Sequence, residues 1–326
     1  MQENILFLNH SHANIHLAFT DAQIGDFPIR TLDEIRAMPM PDVEYIFSTW
    51  GFPPMTEDEI ALYFPKLKAV LYAAGTVQAF ARPLLNRGVR VFSAWAANAI
   101  PVAEFAAAQI VLANKGYFQL HDRYRQGHAN AVAYGNLFYE GNYGGKVGLL
   151  GAGMIGRLVI KLLAPYALQI YVYDPFLSED QAADLGVVKA DLDTIFTECR
   201  TISNHMANKA ETRGILNYAL FSKMLPNATF INTGRGAQVV PADLFRAMDE
   251  APDRTALLDV TDPEEPVAAS SEYWNHPNVL LTPHRAGSMG GEVLRMGQFM
   301  LDEYARLLAG ERACYEVTTE MLATMA

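Results

Sequence analysis

Lys146-Val-Gly-Leu-Leu-Gly-Ala-Gly-Met-Ile-Gly156 runs directly into Arg-Leu-Val-Ile-Lys-Leu-Leu163 and, after a short break, into Ile170-Tyr-Val-Tyr-Asp174. Three glycines at this spacing are a weak signal alone, because ordinary turns contain them. Here they follow an apolar run, open an apolar helix and lead to a second strand ending in an acid 18 residues after Gly156, the pattern of a dinucleotide-binding βαβ unit. Gly151 permits the tight turn, Gly153 lets a pyrophosphate approach the backbone, and Gly156 lets helix and strand pack closely. The phosphates would then lie at the helix N-terminus, beside Met154 and Ile155. Asp174 is placed to accept hydrogen bonds from ribose hydroxyls. A carboxylate there repels a 2′-phosphate, and Pro175-Phe176 follow it rather than an arginine, so NAD is expected over NADP.

Outward from this unit the alternation continues. Val147–Leu150, Ile170–Tyr173, Thr201–Ser203, Thr229–Asn232, Leu257–Val260 and Val279–Thr282 are short apolar runs between amphipathic stretches, as in a doubly wound parallel sheet. Toward the N-terminus, Ile5–Leu8, Tyr45–Phe47, Ala69–Tyr72 and Val89–Phe92 read as strands of another α/β domain. Its helices fall over Leu32–Ala37, Thr56–Phe64 and Val77–Asn86, with Thr56 and Glu59 forming a capping-box pattern. Pro101 starts a long Ala-rich helix that marks a crossing between domains. Glu292–Leu308 has apolar residues at helical spacing and ends before Gly310; with no strand after it, this helix is expected to return to the first domain. The expected fold is α/β, with two doubly wound parallel-sheet domains: a Rossmann NAD-binding domain over 100–289, inserted into a domain made of 1–99 and 290–326. The aromatic, Gly-rich stretch Gly127–Gly145, containing Tyr134, Phe138, Tyr139 and Tyr143, has no clear period and reads as a covering loop or as an arm on a second subunit.

Composition narrows the function. The chain of 326 residues suits two domains of ordinary size, and 51% hydrophobic against 19% charged residues argues against disorder. A net charge of −11 without a Lys/Arg cluster argues against nucleic acid and anionic membrane as partners. Cys199 and Cys314 stand far apart, so neither a disulfide framework nor a metal site is indicated. The first ten residues lack the basic region and apolar length of a signal peptide, and no stretch approaches the ~20 apolar residues of a membrane span, so a cytoplasmic enzyme is expected.

Arg235, Glu264 and His284 each follow an apolar run, at the carboxyl edge where open α/β sheets hold ligands. One guanidinium can grip a carboxylate with both donors of its fork, one imidazole can move a proton, and one carboxylate can favour the charged imidazolium. His10, Ser11, His12 and His16 follow the first strand and are open to three readings: substrate contact, a metal cluster, or a polar loop. Trp50, Phe52 and Trp95 are candidates for a cleft wall.

Over nearly its whole length the chain resembles the D-isomer-specific 2-hydroxyacid dehydrogenase family. The resemblance rests on Gly75 in Ala73-Ala-Gly-Thr76, Asn98 with Val102-Ala-Glu-Phe105, the glycine fingerprint with Asp174, and His205 with Glu211-Thr-Arg-Gly214. It continues through Asn232-Thr-Gly-Arg-Gly236, Leu258-Asp-Val260 and Pro283-His284. It implies a flavodoxin-like substrate domain, NAD as cofactor, a small 2-keto or 2-hydroxy acid as substrate, and a homodimer. It further implies that Arg235 holds the substrate carboxylate with help from the Gly75-Thr76 backbone. His284 would be the acid/base with Glu264 as its partner, and His205, Thr233 and Asp259 would line the cofactor. The family's usual Glu-Pro pair stands here as Glu264-Glu265-Pro266; Glu264, five residues after Asp259, is taken as the partner. Other departures are Val77-Gln78-Ala79 after the Gly75 loop, Ala207 for a common Pro, and Gly234 for a common Ala. The reading from another class is an NAD(H)-sensing interaction protein of corepressor type, which would not need the three catalytic groups.

Overall fold

The computed structural model describes residues 4–127 and 131–322; the first three and last four residues, and 128–130 of the aromatic stretch, lie outside it. The strands are β1 (Ile5–Leu8), β2 (Ile29–Arg30), β3 (Tyr45–Ser48), β4 (Ala69–Tyr72), β5 (Arg90–Ser93), β6 (Tyr143–Leu150), β7 (Ala167–Tyr173), β8 (Val188–Lys189), β9 (Thr201–Asn204), β10 (Thr229–Asn232), β11 (Thr255–Leu258), β12 (Val279–Leu281) and β13 (Glu316–Val317). The chain divides into two units, Met1–Ala99 with Ser288–Ala326, and Ile100–Gly287.

The first unit is a sheet of order β13-β5-β4-β3-β1-β2, parallel except for β13. Its central strands β1, β3 and β4 are buried throughout and mainly apolar because both faces are covered by helices. Alternate residues feed two cores: Leu6, Leu8, Ile46, Val70 and Val91 on one face, and Ile5, Phe7, Phe47, Leu71 and Phe92 on the other. The helix Gly291–Ala309 lies on the second face, contributing Val293, Met296, Met300 and Tyr304. Gly297 lets that helix approach closely, since a Cβ there would sit 1.8 Å from the Ala18 carbonyl oxygen. Thr56 and Glu59 form the expected capping box.

The second unit is a seven-stranded sheet of order β12-β11-β10-β9-β6-β7-β8. The order turns back between β6 and β9, which creates the crevice where doubly wound sheets take nucleotides. Leu150, Ile202, Phe230 and Leu258 face one core; Val147, Leu149, Val172, Ile231 and Leu257 face the other.

Four expectations require correction. The helix placed at Pro101 begins at Trp95 and carries Pro101 in its interior, because the apolar run upstream is helical as well. That helix, Trp95–Asn114, is also long and apolar enough to cross a membrane by length and composition, contrary to the reading of the chain; 56% of its most apolar 18-residue stretch is buried inside the protein, as in a core helix. A strand does follow the last long helix: β13 pairs with β5 through only two residues, too few to show a period, as with β2 and β8. Within Gly127–Gly145, Ala131–Phe138 is helical, and Tyr134 donates to Asn227 Oδ1 at 2.7 Å.

Candidate active site

The fingerprint turn follows β6 as its glycines require. Gly151 has φ of 100°, and a Cβ there would lie 2.9 Å from the His205 carbonyl oxygen. At Gly156 a Cβ would lie 2.1 Å from the Gly151 carbonyl oxygen, so strand and helix touch backbone to backbone. Gly153 differs: nothing lies within 4 Å of its missing Cβ. No side chain caps the helix Met154–Leu163 that it starts, so the first amides stay available to an anion. Asp174 accepts from the Ala152 amide at 2.7 Å and the Phe176 amide at 2.8 Å, which fixes the turn against the second strand and leaves lone pairs for a ribose. An open glycine, an uncapped helix start and a rigidly held acid are what a dinucleotide needs, so the residues present fit NAD. Gly153→Ala should therefore keep the melting temperature, having room for the methyl, while weakening NADH binding about tenfold in a fluorescence titration; unchanged affinity would mean that the pyrophosphate does not pass there.

Beyond β9, His205 is buried, with Nε2 2.9 Å from Ser203 Oγ and Nδ1 3.3 Å from Thr233 Oγ1. Burial pushes its pKa from 6.5 down to about 4, so the ring is neutral in the folded protein. Unfolded, it takes up a proton below pH 6.5. Stability is therefore fully present above 6.5 and is lost as pH falls toward 4, by roughly 3 kcal/mol at about 1.4 kcal/mol per pH unit. His205→Gln should flatten the fall in urea-unfolding free energy over that window; an unaltered slope would show that His205 is not buried neutral.

β10 ends at Asn232, and the loop after it is held by a polar network. Asn204 donates to Asn232 Oδ1 at 2.9 Å and to Gln238 Oε1 at 2.6 Å, and the Arg235 amide donates to Gln238 Oε1 at 3.3 Å. A Cβ at Gly234 would stand 2.9 Å from both Asn204 Nδ2 and Gln238 Oε1, which explains why the common Ala is absent here. Gly236 brings the loop against the next one, where a Cβ would lie 1.9 Å from the Thr261 carbonyl oxygen. Arg235 is thus set beside the 260–265 loop. Its guanidinium is half-buried, donates to the Gly234 carbonyl at 2.8 Å, and makes no ion pair among the described residues. Burial lowers its pKa, opposed by the charges of Glu264 and Glu265.

Asp259, one residue past β11, is buried and accepts from Thr282 Oγ1 at 2.6 Å and from the Arg285 and Ala286 amides at 2.7 and 2.9 Å. Its carbonyl accepts the His284 amide at 3.0 Å. This hub bends the chain at His284, whose φ of 53° lies in the left-handed region and turns the imidazole outward. His284 Nδ1 stands 3.2 Å from an oxygen of Glu265, not of Glu264. The carboxylate of Glu265 is nearly buried and its other oxygen accepts from Thr261, through the backbone amide and, at 3.1 Å, through the hydroxyl. Glu264 is exposed and makes no hydrogen bond among the described residues. The assignment of Glu264 as the histidine's partner is therefore corrected to Glu265. The extra residue in the loop puts the acid before Pro266 in position, and the Glu-Pro pair was the signal that could have found it. Arg235, Glu264, Glu265 and His284 line one open pocket of ≈ 150 Å³, with Arg213 of the Glu211-Thr-Arg-Gly214 motif and with Asn208 and Asp262, which the sequence reading did not single out. Arg213 and Asp262 pair at 3.5 Å on its rim.

Gly75 and Thr76 lie in the first unit, beyond β4, where the Gly75 carbonyl accepts from Ser93 Oγ. The histidines after β1 make separate local contacts: His10 with the Gly51 carbonyl at 3.1 Å, His12 with Glu34 at 2.8 Å, His16 with Asp21 at 3.0 Å. Phe52 is core, packed on Phe80, while Trp50 is exposed and Trp95 packs on Tyr315.

Residues 107–286, more than half of the chain, match the model of the D-isomer specific 2-hydroxyacid dehydrogenase family, NAD binding domain. The D-3-phosphoglycerate dehydrogenase of Archaeoglobus fulgidus is 28% identical over 225 residues, 69% of this chain and 42% of that protein. The match takes in less than two thirds of the length of that relative. Among solved structures, a phosphoglycerate oxidoreductase from Rhizobium etli superposes with a TM-score of 0.78 at 22% identity, over 97% of this chain and 99% of that one. A D-isomer specific 2-hydroxyacid dehydrogenase from Lactobacillus delbrueckii ssp. bulgaricus, in its NAD-complexed form, gives 0.77 at 19% identity, over 96% and 99%. The fingerprint, the sheet order and the family match agree: the chain binds NAD and belongs to the D-isomer-specific 2-hydroxyacid dehydrogenase family.

Proposed function

We propose that this protein is an NAD-dependent oxidoreductase acting on a D-2-hydroxy acid/2-keto acid pair, with Arg235 as the carboxylate anchor, His284 as the acid/base and Glu265 as its orienting partner. The observation that carries this is the meeting of a half-buried guanidinium, without an ion pair among the described residues, and a carboxylate-backed histidine in one pocket. An unpaired cation removed from water is costly and selects an anion; a planar carboxylate fits its fork. The nicotinamide, when bound, supplies or accepts the hydride. His284 gives a proton to the carbonyl oxygen during reduction and removes it from the hydroxyl during oxidation, while Glu265 holds Nδ1 so that Nε2 faces the substrate. Thr233 and Asp259 shape the cofactor side, Asp259 chiefly by building the His284 turn. A homodimer is part of the proposal: Leu112, Tyr117, Tyr124, Leu137 and Tyr143 are exposed along one segment of the second unit.

The test is to follow NADH absorbance with a panel of 2-keto acids including glyoxylate, hydroxypyruvate, pyruvate and phenylpyruvate. Turnover of at least one, giving the D product, is expected. The L product would contradict the assignment.

A further inference from the structure

The fingerprint turn follows β6, and the strands on either side of β6 are β7 and β9. The loops leaving those two neighbours meet each other. Phe176, two residues after Asp174, is 81% exposed, and Lys209, from the loop after β9, sets its Nζ 4.9 Å from the centre of the Phe176 ring. Both residues are held by their backbones. The Phe176 amide donates to Asp174 Oδ1, and the next residue, Leu177, is buried. The Lys209 amide donates to Thr212 Oγ1 at 3.0 Å, and that hydroxyl returns to the Lys209 carbonyl at 3.0 Å. Lys209 forms no ion pair among the described residues, so its charge is met by the ring alone, a contact that is weak when exposed to water. An aromatic face and an unneutralised ammonium, one from each flank of the nucleotide turn, match the two parts of an adenosine phosphate: a base that stacks and a phosphate that seeks a cation.

We propose that Phe176 and Lys209 form a clasp over the adenosine end of the nucleotide groove. The adenine takes the ring face and the adenosine-side phosphate takes the ammonium, so the pair governs how tightly that half is held. The clasp acts on binding, independently of the assigned acid/base chemistry.

The test uses the full chain and ADP-ribose as the probe, titrated by calorimetry, with melting temperature recorded beside it. Phe176→Ala and Phe176→Leu should each raise the ADP-ribose Kd about tenfold, while Phe176→Tyr, which keeps the π face, should bind as the parent does. Lys209→Ala should raise it about fivefold and reduce its dependence on salt. The double variant Phe176→Ala/Lys209→Ala should weaken binding as much as the two single changes together, because ligand contacts are lost separately. Parental affinity in Phe176→Ala or Lys209→Ala, a Phe176→Leu variant that binds normally, or losses tracking a lowered melting temperature would overturn the clasp. Failure of the parent protein itself to bind ADP-ribose would instead contradict the nucleotide site.

Discussion

His284→Asn is expected to lower kcat for 2-keto acid reduction about 1,000-fold while leaving the NADH Kd within about threefold, because positioned proton transfer contributes about 10²–10⁴ to a rate and the nucleotide turn is built from residues 151–156 and Asp174 instead. Asn is chosen because it tolerates the left-handed backbone that His284 adopts, so the turn built by Asp259 should survive. The neighbouring acids then separate the two candidates for the histidine's partner. Glu265→Gln removes the charge 3.2 Å from Nδ1 and should cost about tenfold in kcat. Glu264→Gln should leave kcat within about twofold, as the side chain is exposed and makes no hydrogen bond among the described residues. If Glu264→Gln lowered kcat and Glu265→Gln did not, the pairing seen in the structure would not be the working one.

The second large effect belongs to Arg235. Arg235→Ala should lower kcat/KM by about 1,000-fold, the loss of a charge-assisted contact of roughly 4 kcal/mol that leaves the substrate carboxylate unmatched. Arg235→Lys keeps the charge but not the fork, and about 100-fold of the loss should remain. Neither change should move the NADH Kd by more than about threefold, and both proteins should melt near the parent temperature, since the side chain's one hydrogen bond among the described residues is to its neighbour's carbonyl. Equal loss of NADH and substrate binding would remove Arg235 from the substrate role.

Much of this was legible in the chain, and for physical reasons. The central strands of both sheets are buried on two faces, so each shows as an apolar run whatever its register, and at Gly151 and Gly156 of the fingerprint a Cβ would lie 2.9 and 2.1 Å from a carbonyl oxygen, which leaves room for glycine alone. What escaped the sequence was short or relational. β2, β8 and β13 have two residues each and no period to read. The helix from Trp95 hid its start because Pro101, a good first-turn residue, lies inside it. The choice between Glu264 and Glu265 was decided by a loop path, with Gly236 pressed on Thr261 and Thr261 in turn bonded to Glu265, that no spacing count contains. Asp259 could be placed at the site from sequence, but its four contacts to the 282–286 turn, which make it the builder of the histidine's position, appear only in three dimensions. The Phe176–Lys209 contact is of the same kind, two residues 33 positions apart joined by strand order.

The most direct measurement is stereochemical and kinetic at once: NADH consumption with the panel of 2-keto acids, with the product's configuration assigned. NADH oxidation with at least one 2-keto acid, yielding the D-2-hydroxy acid and abolished in Arg235→Ala, is the predicted result. Tight NADH binding with no turnover across the panel would contradict the account and favour an NAD(H)-sensing protein on the same fold.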